Sequence, residues 1–295
     1  MKYCKKCLQP DTRPNILFDE HGVCYACLYE ESKASIDWDA RFNELLNIAK
    51  NAKAEAKKRG NIYECVIGVS GGKDSTFQAV YAKEKLGLRP LFINCVPDEI
   101  TQIGQHNIDN LNKLGFDIKE LIDGIDGVSE DDMYFYSMPD LDEMKQKGIR
   151  AIFLQYYAKE WSQVLNADFS IARGIKGRMD DDLHDIGRFT ALDSDLQIAN
   201  QMIKYLKFGF GFATDEACYD IREGRLGRED ALWYVNEYDG LCGEKYIKIA
   251  CDYLGISKDE FFRVVDGFVN KDLFYKDENG KWKPKFKVGQ DFNIN

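Results

Sequence analysis

Ile62-Tyr63-Glu64-Cys65-Val66-Ile67-Gly68-Val69 runs directly into Ser70-Gly71-Gly72-Lys73-Asp74-Ser75. The first eight residues are a short apolar run that suits a buried parallel strand. The next six read as a glycine turn opening a helix. Glycines adopt torsions closed to other residues and let the backbone approach an anion closely. The first turn of a helix leaves N–H groups unpaired, and its dipole favours negative charge there. The Ser70 and Ser75 hydroxyls add donors, and Lys73 adds positive charge. Asp74 repels a phosphate unless it holds Mg²⁺ or shapes the loop, so it points to a metal–pyrophosphate complex. The spacing is not that of a Walker A loop, G-x-x-x-x-G-K-[ST].

Working outward, 37–59 reads as an amphipathic helix, with Trp38, Phe42, Leu45, Leu46 and Ile48 at helical spacing and Gly60 ending it. A helix follows the glycine turn from about 74 to 86. Leu91-Phe92-Ile93-Asn94-Cys95-Val96 is a second strand, about 100–114 a helix, and Asp117-Ile118-Lys119-Glu120-Leu121-Ile122 a third strand. The β-α-β-α-β order predicts an α/β fold with a doubly wound parallel sheet. Residues 123–150 are acidic and irregular, and 151–165 reads as strand or helix. The pattern is then helical over 193–207, 214–223, 228–238, 243–254 and 257–270. Ser257-x-x-Glu260 resembles a capping box opening the last of these. The expected division is a four-cysteine segment at 1–35, a nucleotide domain at 36–192 and a helical region at 193–295.

Cys4-x-x-Cys7 and Cys24-x-x-Cys27 are separated by sixteen residues. Two such knuckles supply four thiolates converging on a tetrahedral metal. A segment of about 30 residues also buries too little to fold without a staple. Structural zinc is the expectation, ahead of an iron–sulfur cluster or a redox dithiol. His21 is surplus to a four-cysteine site. Cys65 and Cys95 sit in apolar runs as core residues, and Cys218, Cys242 and Cys251 show no pairing pattern.

The 295 residues are 44% hydrophobic, enough for a sizeable core. No run approaches the length needed to span a bilayer, and the N-terminus lacks the apolar stretch of a secretory signal. A soluble cytoplasmic protein without membrane contact is expected. The net charge of −10 argues against a nucleic-acid partner, since phosphate neutralisation dominates such binding. The basic stripe from Lys50 to Arg59 reads as a solvated helix face.

The loop resembles that of the pyrophosphate-loop ATPases, S-G-G-x-D-S after a first strand. That resemblance implies ATP cleavage between the α- and β-phosphates. It assigns Ser70, Gly71, Gly72, Lys73, Asp74 and Ser75 to ATP and Mg²⁺, with Lys73, Asp74 and Ser75 as catalytic groups. The opening Met1-Lys2-Tyr3-Cys4-Lys5-Lys6-Cys7-Leu8-Gln9-Pro10-Asp11-Thr12-Arg13-Pro14 looks like the N-acetyl sugar amidotransferases. These are the PseA-, WbpG- and LegX-like proteins of bacterial surface-sugar pathways, pseudaminic and legionaminic acid synthesis included. Phe18-Asp19-Glu20-x-Gly22-Val23-Cys24-x-x-Cys27, Ile152-Phe153-Leu154-Gln155-Tyr156-Tyr157, Lys207-Phe208-Gly209-Phe210-Gly211, Asp220-Ile221-Arg222-x-Gly224-Arg225-Leu226-x-Arg228-Glu229 and Gly280-Lys281-Trp282 carry the same likeness.

The resemblance implies conversion of a sugar N-acetyl group to an acetamidino group through an adenylated intermediate and ammonia. The ammonia is expected from a separate glutaminase subunit, because no glutaminase triad is legible here. A tRNA-modifying thiolase is the alternative, disfavoured by the charge and by the apolar settings of Cys65 and Cys95. The tract from about Leu121 to Gly148 looks too short for the later strands of such a sheet, so a segment missing from the sequence is expected. Lys207, Arg222, Arg225 and Arg228 are candidate substrate contacts, the three arginines falling on nearly one face if a helix runs through Gly224. Asp180-Asp181-Asp182 with His184 reads as a solvated acidic turn, and Asp98 sits where nucleotides bind in open sheets.

Overall fold

The computed structural model describes residues 1–97, 100–121, 150–179 and 189–293. Asp98, Asp180, Asp181, Asp182, His184 and the 122–149 tract lie outside them. The chain forms two compact units, one of residues 37–178 with 189–194, the other of 1–36, 179–188 and 195–295.

In the first unit, α2 (Trp38–Arg59) is capped by the Asp37 carboxylate, which accepts from the Ala40 N–H, and ends at Gly60 in the left-handed conformation. Strands β1 (Cys65–Gly68), β2 (Pro90–Cys95) and β3 (Ile118–Leu121) form a parallel sheet in the order β1-β2-β3. Helices α3 (Lys73–Glu84) and α4 (Gln102–Lys113) make the crossovers. Both crossovers progress the same way along the sheet, so the right-handed rule puts both helices on one face. Val69, Ala79, Val80, Phe92, Ile108 and Leu111 fill the layer between.

Among the described residues the parallel sheet forms as expected, with three strands. The described residues wind the sheet on one side only, and β1 is half-buried. Its residues alternate, with Val66 53% exposed while Val69 just beyond it is 4% exposed. The described residues hold three strands of this sheet, with β1 at one edge. The ambiguous 151–165 stretch forms one helical turn, α5 (Leu154–Tyr157), followed by α6 (Leu165–Ile171). Helix α6 packs on α3 through Phe169 and Phe77, whose ring centroids lie 4.9 Å apart.

In the second unit, α1 (Tyr25–Ser32) follows two short antiparallel bridges, Tyr3 with Pro10 and Phe18 with Cys24. The five expected C-terminal helices form: α7 (Leu196–Phe208), α8 (Phe212–Arg222), α9 (Arg228–Tyr238), α10 (Glu244–Leu254) and α11 (Lys258–Phe268). Ser257 caps α11 by accepting from the Glu260 N–H. A hairpin of β4 (Phe274–Lys276) and β5 (Trp282–Pro284) follows. Cys4, Cys7, Leu8, Cys24 and Cys27 share one buried cluster with Ala213, Ala217 and Cys218 of α8 and Ala231 and Val235 of α9. The small residues let both helices come close to the cysteine segment.

Asp239 anchors the start of α8. Its half-buried carboxylate accepts from the Gly211 and Ala213 N–H groups and the Thr214 hydroxyl. Burial pushes its pKa up to about 6 against the hydrogen bonds from Thr214 and Gly211. The folded chain therefore binds this proton more tightly than the unfolded chain, and the stability linked to it is lost as pH rises through about 6. The span is about 3 kcal/mol at most, at 1.36 kcal/mol per unit. Chemical denaturation from about pH 5 to 7 is expected to show wild type losing about 1 kcal/mol relative to Asp239→Asn. Parallel stability profiles for the two proteins would refute this.

Candidate functional site

The glycine turn forms as its composition demands. Gly71 has φ +75°, and a Cβ there would lie 2.9 Å from Asn107 Cβ and 3.0 Å from the Gly104 carbonyl oxygen. Both the torsion and the close packing on α4 exclude any other residue. A Cβ on Gly104 would in turn lie 2.9 Å from Asp193 Cα. Gly72 is the N-cap of α3, and no side chain caps that helix. The unpaired N–H groups of its first turn therefore suit an anion. Ser75 Oγ donates to the Gly72 carbonyl at 3.1 Å and lies 3.5 Å from the Ser70 N–H, so it also braces the turn.

Lys73 and Asp74 pair with each other, Nζ to Oδ2, at 2.9 Å. Lys73 Nζ also donates to Gln163 Oε1 at 2.9 Å, and Asn166 Nδ2 donates to Asp74 Oδ1 at 2.8 Å. The Ser170 hydroxyl donates to the Lys73 carbonyl at 2.9 Å. Asp74 thus shapes the loop, and Lys73 offsets its charge within the same helical turn. Gln163, Asn166 and Ser170 are site residues that the sequence reading missed. They lie some ninety positions from the loop with no motif spacing. The one local signal was Ser162, whose hydroxyl accepts from the Val164 and Leu165 N–H groups at the start of α6.

Asn107 completes the bed under Gly71. Fully buried, it donates to the Lys176 carbonyl at 3.0 Å and accepts the Lys176 N–H at 2.8 Å. Cys65 and Cys95 are half-buried within their strands. Burial pushes the Cys65 thiol up to about 11 and raises Cys95 as well, which keeps both protonated and weakly nucleophilic.

In the other unit, the sulfurs of Cys4, Cys7, Cys24 and Cys27 all lie within 4.8 Å of one another. Cys4 and Cys27 are 3.9 Å apart, and Cys7 and Cys24 are 3.7 Å apart. Four thiolates at ~2.3 Å from a tetrahedral ion sit about 3.8 Å from each other, so the group fits zinc. The Cys24 N–H donates to Cys4 Sγ at 3.2 Å and the Gln9 N–H to Cys7 Sγ at 3.4 Å. Hydrogen bonding with Cys24 drives the Cys4 thiol far down, while Cys7 and Cys27 are driven up by their sulfur neighbours. Such a set cannot hold four thiolates together without a cation. His21 is exposed beside Glu20, apart from the group.

The candidate substrate residues do not form one face. Helix α8 ends at Arg222, Gly224 takes φ +72°, and α9 begins at Arg228, so the unbroken helix does not form. Arg222 Nη1 lies 3.8 Å from Cys7 Sγ. Arg225 Nε pairs with Asp220 at 3.7 Å, and Arg228 Nη2 donates to the Gly289 carbonyl at 3.4 Å. Lys207 Nζ sits over the rings of Phe208 and Phe268. Cys218 lies fully buried against the cysteine group, a placement that sequence spacing did not signal.

Among the described residues, no helix is long and apolar enough to cross a membrane. Residues 185–288 match a family model described as the LPS biosynthesis protein WbpG-like, C-terminal domain. The chain is also 27% identical over 108 residues to the uncharacterized protein MJ1599 of Methanocaldococcus jannaschii. That match covers 36% of this chain and 36% of the relative, so the chain spans about a third of the relative's length.

Proposed function

We propose, for a chain whose residues 185–288 match the WbpG-like C-terminal domain model, an ATP-dependent, AMP-forming amidotransferase of bacterial surface-sugar synthesis. It converts the N-acetyl group of a sugar precursor, free or nucleotide-linked, to an acetamidino group. The observation that carries the ATP step is the uncapped first turn of α3 behind Gly71 and Gly72, braced by the Lys73–Asp74 pair. An amide carbonyl is a poor electrophile and its oxygen a poor leaving group. The amide oxygen attacks the α-phosphorus of ATP and pyrophosphate leaves. Ammonia then adds to the activated carbon, and AMP departs with the former amide oxygen. Backbone N–H groups, Ser70, Ser75 and Lys73 hold the phosphates, and Asp74 serves Mg²⁺ or the loop. Their contribution is chiefly positioning and charge stabilisation.

Ammonia comes from a separate glutaminase subunit. The four cysteines hold a structural zinc, since four thiolates leave no open coordination position. The raised thiols of Cys65 and Cys95 weigh against a sulfur-transferring thiolase. The test supplies ATP, Mg²⁺, ammonium and N-acetylated sugar nucleotides, with products read by mass spectrometry. The expected products are AMP, pyrophosphate and a sugar in which NH replaces one oxygen. ADP as product, or AMP without any change in the sugar, would overturn the proposal.

A further inference from the structure

The geometry points to Arg222 and Cys218 as an outer shell that tunes the metal held by the four cysteines, acting through Cys7. This rests on the zinc reading above. Four thiolates and one divalent ion carry two net negative charges, and here all four cysteines are at most 3% exposed. A buried charge of that size is costly unless donors and cations face it.

Cys7 is where those donors gather. It accepts from the Gln9 N–H at 3.4 Å and faces Arg222 Nη1 at 3.8 Å. Cys218, fully buried, packs in the same cluster as Cys7. Cys218 and Arg222 stand four apart on α8, so one helical face presents both. Arg222 is held half-buried, its guanidinium 5.0 Å from the Tyr219 ring centroid. The tetrahedron is complete with Cys4, Cys7, Cys24 and Cys27, so Cys218 is a fifth sulfur packed outside it and not a ligand. Arg222 draws charge from the Cys7 sulfur and offsets part of the site's excess. Both are positioning residues, and both lie within the region that matches the WbpG-like model.

The experiment uses the full chain, purified reduced and loaded with zinc or cobalt. Metal affinity is read by competition with a chromophoric chelator, and donor strength by the thiolate-to-cobalt charge-transfer band. Wild type is expected to hold one ion per chain. Arg222→Leu is expected to bind about tenfold to a hundredfold more weakly, with the band moved to lower energy. Arg222→Lys is expected to recover much of both, and Cys218→Ala to keep full stoichiometry with a smaller loss. If Arg222→Leu does not fold, Arg222→Gln is read in its place.

A folded neutral variant with wild-type affinity and an unmoved band would overturn the role of Arg222. Loss of the ion in Cys218→Ala would make Cys218 a ligand and overturn its outer-shell role. Wild type with reduced thiols and no bound metal would sink the zinc reading, and this inference with it.

Discussion

Asp74→Ala is expected to cut turnover by about a hundredfold to a thousandfold, the usual cost of losing a group that places transition-state charge. The carboxylate holds Lys73 Nζ on one oxygen and the Asn166 amide on the other. Without it, Lys73 keeps only Gln163, and Asn166 at the start of α6 loses its bond to α3. Asp74 is one-third exposed, and no buried apolar group depends on it, so stability should change by less than about 1 kcal/mol. Asp74→Asn retains an acceptor but not the charge. Comparing the two separates loop shaping from Mg²⁺ binding. Pyrophosphate release with ATP, ammonium and sugar is the measurement, beside a zinc determination expected to match wild type. Normal turnover in Asp74→Ala would remove the loop from the chemistry.

Stripping the metal is expected to have the largest effect on stability. The four cysteines are the centre of the cluster that includes Leu8, α8 and α9. Structural zinc is worth roughly 10–16 kcal/mol in small zinc-finger peptides at neutral pH, which sets the upper scale. A loss of even a few kcal/mol lowers a melting temperature by on the order of 10 °C in a domain of this size. Calorimetry with and without a chelator should show the unit of residues 1–36 and 195–295 melting early. The unit of residues 37–178 is expected to keep its own transition, because its cores draw on α2, α3, α4 and the sheet. Added zinc should restore the first transition. An unchanged scan at zero metal content would show that the cluster holds without the ion.

What could be read in advance followed local rules. The helix starts at Asp37 and Ser257 and the stop at Gly60 are set by side-chain caps and a left-handed glycine within a few residues. The glycine turn was legible because an anion-binding bend needs Gly71, Gly72 and a following helix in that order. The cysteine pairs were legible because tetrahedral coordination fixes their spacing. The contacts between distant segments were not. Gln163 and Asn166 are ordinary polar residues until α6 lies against α3, and Asp239 is an ordinary acid until it meets the start of α8. Arg222 was read with Arg225 and Arg228 as one face because the i, i+3 rule assumes a continuous helix, and Gly224 breaks it. The β4–β5 hairpin was missed because only Phe274 of its three-residue first strand is buried, too little alternation to register.

The close approach of Gly71 to the Gly104 carbonyl, and of Gly104 to Asp193 Cα, brings three stretches of main chain together, with Asn107 Cβ beside Gly71. Side chains can absorb a displacement by changing rotamer, whereas peptide planes cannot. Thr101 ties this stack further, its N–H donating to the Asp193 carbonyl at 3.1 Å and its hydroxyl to the Leu192 carbonyl. The 189–194 strap, itself clasped by Arg178 Nε on the Ala191 carbonyl at 2.9 Å, therefore lies against the helix that backs the glycine turn. A displacement of this strap would reach Gly71 largely through packed main chain, with little room for rotamer changes to absorb it.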